Sequence, residues 1–137
     1  MPFGLRHYLI DTNIWSHLQR RTTQTLLTRF AELKPGQIFL SPVVLGEMET
    51  GFLKGDRAPN RRVALDQIVG TCQVLTVNRQ VAMEYARLRA QLEQMGTPIG
   101  PNDTWIAAEA LHHKLVLVTD NVREFSRVPG LLVENWL

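Results

Sequence analysis

Four acids stand where an α/β fold gathers its reactive groups: Asp11, Glu47, Asp103 and Asp120. Asp11 directly follows the apolar run Tyr8-Leu9-Ile10, and Asp120 follows Leu115-Val116-Leu117-Val118 with Thr119 between. Glu47 sits inside a segment opened by Ser41-Pro42, and Asp103 comes just after Gly100-Pro101. In open parallel sheets, ligands bind beyond the carboxyl ends of the strands. If the strands before Asp11 and Asp120 are neighbours, all four carboxylates converge on one edge with no cation among them. Like charges held together raise one another's pKa, so such a cluster calls for a counterion. Hard divalent cations such as Mg²⁺ or Mn²⁺ want oxygen ligands and supply that charge. Carboxylates holding such ions suit the hydrolysis of a phosphodiester. Each acid also has a local explanation. Asp11 could cap a helix starting at Thr12-Asn13, and Asp103 could serve a helix dipole. Asp120 could be a turn residue, and Glu47 a solvated helix acid. Their shared placement is what argues for one site.

The elements that must position these acids follow from periodicity and breakers. Residues 6–10 read as a buried strand, followed by a helix from about Asn13 and a second over 22–33 that ends at Pro35-Gly36. Residues 37–40 form the second strand. Ser41 caps and Pro42 opens a helix running to about Leu53. After a polar loop over 54–59, Asn60 is expected to cap a helix over 61–70. Residues 74–77 form a third strand. The spacing of Val81, Tyr85, Leu88 and Leu92 predicts a helix over 79–95. Gly96 to Pro101 breaks it, and another helix runs from about Asn102 to His113. Strands at 115–118 and 131–133 complete the pattern. Strands alternating with helices imply an α/β sandwich whose largely parallel central sheet is flanked by helices on both faces. No repeat or Ser/Gly-rich linker divides residues 1–137, so one domain is expected.

Composition narrows the class. The chain has 137 residues, 45% apolar and 20% charged, which is globular and excludes a disordered or collagenous chain. Fifteen Lys and Arg against thirteen Asp and Glu leave a net charge of +2, which permits a nucleic-acid partner without demanding one. No apolar run reaches the ~18 residues of a membrane span, and no signal segment is evident. Cys72 is the only cysteine, so no disulfide or thiolate metal site can form within the chain. A small buried hydrophobe in a reduced, cytoplasmic protein is the simplest reading. Trp15, Trp105 and Trp136 read as packing residues. His112-His113 suit a helix C-terminus, and His7 and His17 have no metal-ligand spacing. Lys54, Arg57, Arg61 and Arg62 cluster around one loop and helix start, where they could meet RNA phosphate or simply be solvated.

The chain resembles the PIN-domain ribonucleases and, within them, the VapC toxins of bacterial type II toxin–antitoxin pairs. The matching segments are Leu9-Ile10-Asp11-Thr12-Asn13-Ile14, then Ser41 through Glu47 with Gly51, then Ile99-Gly100-Pro101-Asn102-Asp103 with Ile106-Ala107-Ala108. Leu117 through Phe125, Val128-Pro129-Gly130-Leu131 and Val133-Glu134-Asn135-Trp136 continue the match nearly to the end. The resemblance implies a PIN-like fold, and it equates Asp11, Glu47, Asp103 and Asp120 with the family's acidic quartet. Thr12, Asn13 and Thr119 match polar positions beside it. In related chains the position of Asp120 is often Asn, and an acid at the position of Glu124 then helps. Asp120 is therefore expected as a ligand and Glu124 as its support. Glu49 has no counterpart and is expected on the surface.

The resemblance further implies an Mg²⁺- or Mn²⁺-dependent endoribonuclease. It would act on structured RNA such as tRNA or rRNA, leave a 5′-phosphate and a 3′-hydroxyl, and stop translation. A homodimer and a cognate VapB-like antitoxin covering the acidic groove are implied as partners. Two alternatives compete: a PIN-like subunit that binds RNA or protein without cutting, and a haloacid-dehalogenase-type phosphatase. The latter would need a second Asp where Asn13 stands.

Overall fold

The computed structural model describes residues 6–21, 23–55 and 57–137. Five parallel strands form one sheet in the order β3-β2-β1-β4-β5: β1 (Tyr8–Ile10), β2 (Ile38–Leu40), β3 (Gln73–Val74), β4 (Val116–Val118) and β5 (Val133–Glu134). Parallel neighbours require crossovers, and helices supply them. They are α1 (Thr12–Arg20), α2 (Gln24–Ala31), α3 (Pro42–Lys54), α4 (Pro59–Thr71), α5 (Arg79–Gln94), α6 (Pro101–His113) and α7 (Val122–Phe125). From β1 the chain builds outward through β2 to β3, then crosses back to lay β4 on the other side of β1. The ends of β1 and β4 therefore flank the point where the winding reverses, the place at which α/β sheets open a ligand crevice.

β1 and β4 are buried at every position, so both faces of the sheet centre are covered. Leu9, Ile10, Ile14, Leu88, Ile106, Leu117 and Phe125 are fully enclosed in one continuous core. Trp15 packs edge-on against Phe30 and Trp136 edge-on against Tyr8, as expected of packing residues. Trp105 instead stacks flat on Tyr85, with ring centroids 3.9 Å apart. Arg6 and Arg29 both bond the Glu134 carboxylate, and the Arg29 guanidinium lies 4.7 Å over the Trp136 ring. The C-terminal segment is thereby pinned to the sheet edge.

The element boundaries depart from expectation where local chemistry decides them. β1 begins at Tyr8 rather than residue 6. β3 occupies Gln73–Val74 rather than 74–77, because at the sheet edge only Leu75 N–H adds one more bond, to Leu40 O. α4 starts at Pro59 with Ala58 as its cap, and α6 starts at Pro101 with Gly100 as its cap. Proline at the first helical position overrides Asn60 and Asn102 as starting points. β5 is Val133–Glu134 rather than 131–133. α7 was not anticipated at all. Cys72 is half-buried at the end of α4, and burial pushes its thiol pKa up.

Candidate active site

The β1–β4 register pairs Ile10 with Val118, and the ladder continues past both strands. Asp11 N–H donates to Val118 O at 2.9 Å, and Thr119 N–H donates to Glu134 O at 3.0 Å. Asp11 and Thr119 consequently lie side by side. The Thr119 hydroxyl donates to Asp11 Oδ2 at 2.7 Å, and Thr12 N–H donates to Oδ1 at 2.8 Å. Asp11 is the N-cap of α1 and also a wall of the acidic edge. Capping and site membership are compatible here, because the cap residue sits at the strand's carboxyl end.

The polar neighbours each hold one acid. The Thr12 hydroxyl donates to Glu47 Oε1 at 2.7 Å, which links the first turn of α1 to α3. Asn13 Nδ2 donates to Asp120 Oδ1 at 3.3 Å, which ties the exposed end of the β4 loop back to α1. Glu124, carried by α7, has its own task. Its Oε1 accepts Gly100 N–H at 2.9 Å and its Oε2 accepts Asn121 Nδ2 at 3.0 Å. Gly100 has no side chain with which to cap α6, so Glu124 satisfies that helix end from across the site. Asn121 N–H in turn donates to Thr119 Oγ1 at 3.0 Å, so one bonded network runs from Asp11 through Thr119 and Asn121 to Glu124 and the start of α6.

The electrostatics carry the mark of crowded carboxylates. Asp103, in the first turn of α6, is pushed up to about 7 by burial and then by the negative charges of Asp11, Glu124 and Glu47. Burial also raises Asp11, with Glu47 and Asp120 adding to the effect, against the bonds from Thr119 and Thr12. The Gly100 N–H, with Asn121, holds Glu124 low. The two neighbouring carboxyls are thus shifted in opposite directions, Asp103 up and Glu124 down. Asp120 acts on Asp11, while Glu124 acts on Asp103. The quartet is thus a set of coupled pairs with Glu124 as a fifth carboxylate. Among the described residues, no group of three His, Cys, Asp or Glu side chains is arranged to cage a metal ion.

The basic cluster divides. Lys54, Arg57 and Arg61 are exposed. Arg62 is committed: it bonds both Glu49 oxygens at 2.7 Å, bonds Asp66, and lies 4.9 Å over the Phe52 ring. Its donors clamp α4 to α3. Glu49, expected in solvent, is the other half of that clamp. Glu109 is a further buried acid that no sequence motif marks. It is fully buried on α6, and its Oε1 accepts the Ser41 hydroxyl at 2.7 Å. The available signal was an acid flanked by Ala107, Ala108 and Ala110.

A PIN domain family model matches residues 8–131. The chain belongs to the PIN-domain family. Within it, the relatives are VapC proteins. Ribonuclease VapC2 of Rickettsia felis is 32% identical over 94% of this chain and 97% of its own. The tRNA(fMet)-specific endonuclease VapC of Salmonella typhimurium is 34% identical over the same shares. Among solved structures, a crystal structure of VapBC2 from Rickettsia felis bound to promoter DNA matches with a TM-score of 0.87 at 30% identity, covering 95% of this chain and 98% of that one. DNA-bound VapBC from Salmonella typhimurium matches with a TM-score of 0.89 at 29% identity, covering 97% of this chain and all of that one. For this PIN domain the phosphatase alternative falls. No helix among the described residues is long and apolar enough to cross a membrane.

Proposed function

We propose that this PIN-domain chain is a VapC-type toxin: a metal-dependent endoribonuclease that cuts structured RNA, tRNA or rRNA, and is neutralised by a VapB-like antitoxin. One observation carries the reading. Burial, with the negative charges of Asp11, Glu124 and Glu47 added to it, pushes Asp103 to about 7, and among the described residues no Lys or Arg bonds Asp11, Glu47 or Asp103. Oxygen donors with unbalanced negative charge fit Mg²⁺ or Mn²⁺ and not a softer ion. Magnesium takes one or two carboxylates and keeps several waters, so coupled pairs suit it without a complete protein cage. Asp11, Asp103 and Asp120 would hold the ion, with Glu47 completing the set or orienting the attacking water.

When bound, the metal supplies positive charge to the phosphate oxygens and lowers the pKa of water. The chain's own residues prepare that chemistry. Thr12 and Thr119 fix both oxygens of Asp11, so it is aimed before substrate arrives. Thr12 fixes Glu47 from the same turn. Asp103 gives up its proton when the site is charged, and Glu124 holds the end of α6 in place meanwhile. Exposed Arg61, which lines a cleft together with Glu47, would supply a phosphate contact, and exposed Lys54 and Arg57 would add further ones. The same reading makes residues 1–137 one domain, working in the cytoplasm as a homodimer.

The test is direct. Purified protein is incubated with total tRNA and rRNA in Mg²⁺, in Mn²⁺ and in EDTA. Cleavage that needs the metal and leaves a 5′-phosphate and 3′-hydroxyl is expected. Binding without cleavage in every metal would instead make this chain a non-catalytic RNA-binding subunit.

A further inference from the structure

α3 keeps two glycines in its interior, Gly46 and Gly51. Backbone conformation requires neither, since the positive-φ glycines among the described residues are Gly96 and Gly130. Close packing requires neither, since a Cβ built at either position meets nothing within 4 Å. Glycine weakens a helix relative to alanine, so both positions forgo stability without a local reason. Each opens onto a cleft beside Glu47: Gly46 faces one also lined by Trp105, and Gly51 faces another between α1, α3 and α4.

The Gly51 cleft has a volume of about 300 Å³. Met48, Phe52 and Leu65 give it apolar walls, and Ser16 and Gln19 give it a polar side. It shares Thr12 and Glu47 with the acidic edge. Arg61 lines it as well and makes no ion pair among the described residues, in contrast to Arg62 beside it.

We infer that the Gly51 cleft is a nucleoside subsite, which takes the base and ribose next to the phosphate presented to the acids, with Arg61 against the adjoining phosphate. This rests on the ribonuclease reading and deepens it. The volume is that of a small-molecule site, about 300 Å³ upward, rather than of a groove for a long segment. Unpaired RNA bases are recognised by splaying onto apolar surfaces with polar groups at their edges, which is the lining found here. Continuity through Thr12 and Glu47 means that the occupant belongs to whatever molecule reaches the acids. Arg61 matches a phosphodiester in charge. Any side chain at position 51 would occupy the space the base needs.

Gly51→Leu, Gly51→Ala and Gln19→Ala test the inference in the full chain. Binding of a labelled RNA hairpin with a randomised loop is read by anisotropy in EDTA, and cut sites are sequenced in Mn²⁺. Gly51→Leu should keep or raise the Tm yet weaken hairpin binding by about tenfold or more. Gly51→Ala should fall between, which covers the case of a misfolded leucine variant. Gln19→Ala should flatten the base preference beside the cut. If Gly51→Leu and Gly51→Ala fold and both bind and cut like wild type, the subsite is overturned. Wild type that binds hairpins but cuts none would sink the hydrolase reading alone. Wild type that binds none would sink both.

Discussion

α6 carries two carboxyls raised to nearly the same pKa, one by burial with neighbouring charge and one by burial alone. Asp103 stands in the first turn and is pushed up to about 7 by burial together with three neighbouring acids. Glu109 lies deeper along the helix and also reaches about 7, but burial alone drives it, against one hydrogen bond from Ser41. Burial leads in both, but the first also carries the repulsion of neighbouring charge, which a cation can cancel. The second is high because its surroundings are apolar, with Ala107, Ala108 and Ala110 all fully enclosed. Its Oε2 has no hydrogen-bond partner among the described residues. Glu109 does structural work all the same. The Ser41 hydroxyl that it accepts also takes the Val43 N–H at 3.0 Å as the cap of α3, so one contact ties the helix of Glu47 to the helix of Asp103. Raised pKa values mark functional sites only probabilistically. This pair shows how to separate the cases: ask what shifts the group, and whether a ligand could undo it.

The largest difference should be in catalysis. Asp103→Ala should lower metal-dependent RNA cleavage by more than about a hundredfold, since even residues that merely support metal ligands cost 10–100-fold. Glu109→Gln, which keeps the oxygen that Ser41 bonds, should cut RNA near the wild-type rate. Equal losses in gel-based cleavage assays would erase the distinction. Next in size is the response to metal. Mn²⁺ at a hundredfold excess over Kd should stabilise wild type by about 2.7 kcal/mol. Glu109→Gln should gain as much and Asp103→Asn much less, as read by differential scanning fluorimetry.

The two carboxyls also differ in how readable they were. Asp103 could be found from sequence because Gly100-Pro101 announces a helix start and the spacing from Asp11 and Asp120 matches a known family. The strands β1 and β4 were legible for a similar reason: short, wholly apolar runs, each closed by an acid. Glu109 was not legible, because its partner Ser41 is 68 residues away and nothing local names it. The Arg62–Glu49 clamp was hidden in the same way: both residues sit among solvated neighbours, and only the packing of α4 on α3 pairs them. α7 is four residues long, below what periodicity can detect, and its use becomes clear only when Glu124 is seen capping α6. Tertiary bonds between polar side chains leave little trace in hydrophobic spacing.

The third difference lies in the pH dependence of stability. A carboxyl whose folded pKa is raised gives the folded state extra protons, so stability is greatest below the unfolded value and falls as pH rises toward the folded one. For Glu109 that window runs from about 4.5 to about 7. The loss across it should be on the order of 3 kcal/mol in wild type. Glu109→Gln should remove this loss while leaving its new amide N–H groups without partners, at about 1–3 kcal/mol. The variant should therefore melt below wild type at pH 4.5 and draw level with it or pass it by pH 8. Parallel melting curves across that range would show that Glu109 does not titrate in the window.

The smallest effect, and the most discriminating, belongs to Asp103 without metal. Its window opens near 3.8 and closes near 7. Above pH 7 the folded protein must hold Asp103 charged beside Asp11, Glu47 and Glu124. Asp103→Asn removes that charge and keeps the shape. In EDTA at pH 8 the variant should be more stable by on the order of 1 kcal/mol, because solvent at this half-buried group screens most of the repulsion. For a chain of this length that is a rise of roughly 3–5 °C in Tm. Below pH 4 the advantage should vanish, since wild type is then neutral at this position too. Mn²⁺ at pH 8 should reverse the order, because wild type alone gains the full metal stabilisation. A competing force acts in the opposite direction: an acid in the first turn of a helix interacts favourably with its dipole, by about 0.3–1 kcal/mol. If Asp103→Asn melts below wild type in EDTA at pH 8 and gains equally from Mn²⁺, the dipole term has won. Asp103 would then join Glu109 as a structural acid of α6.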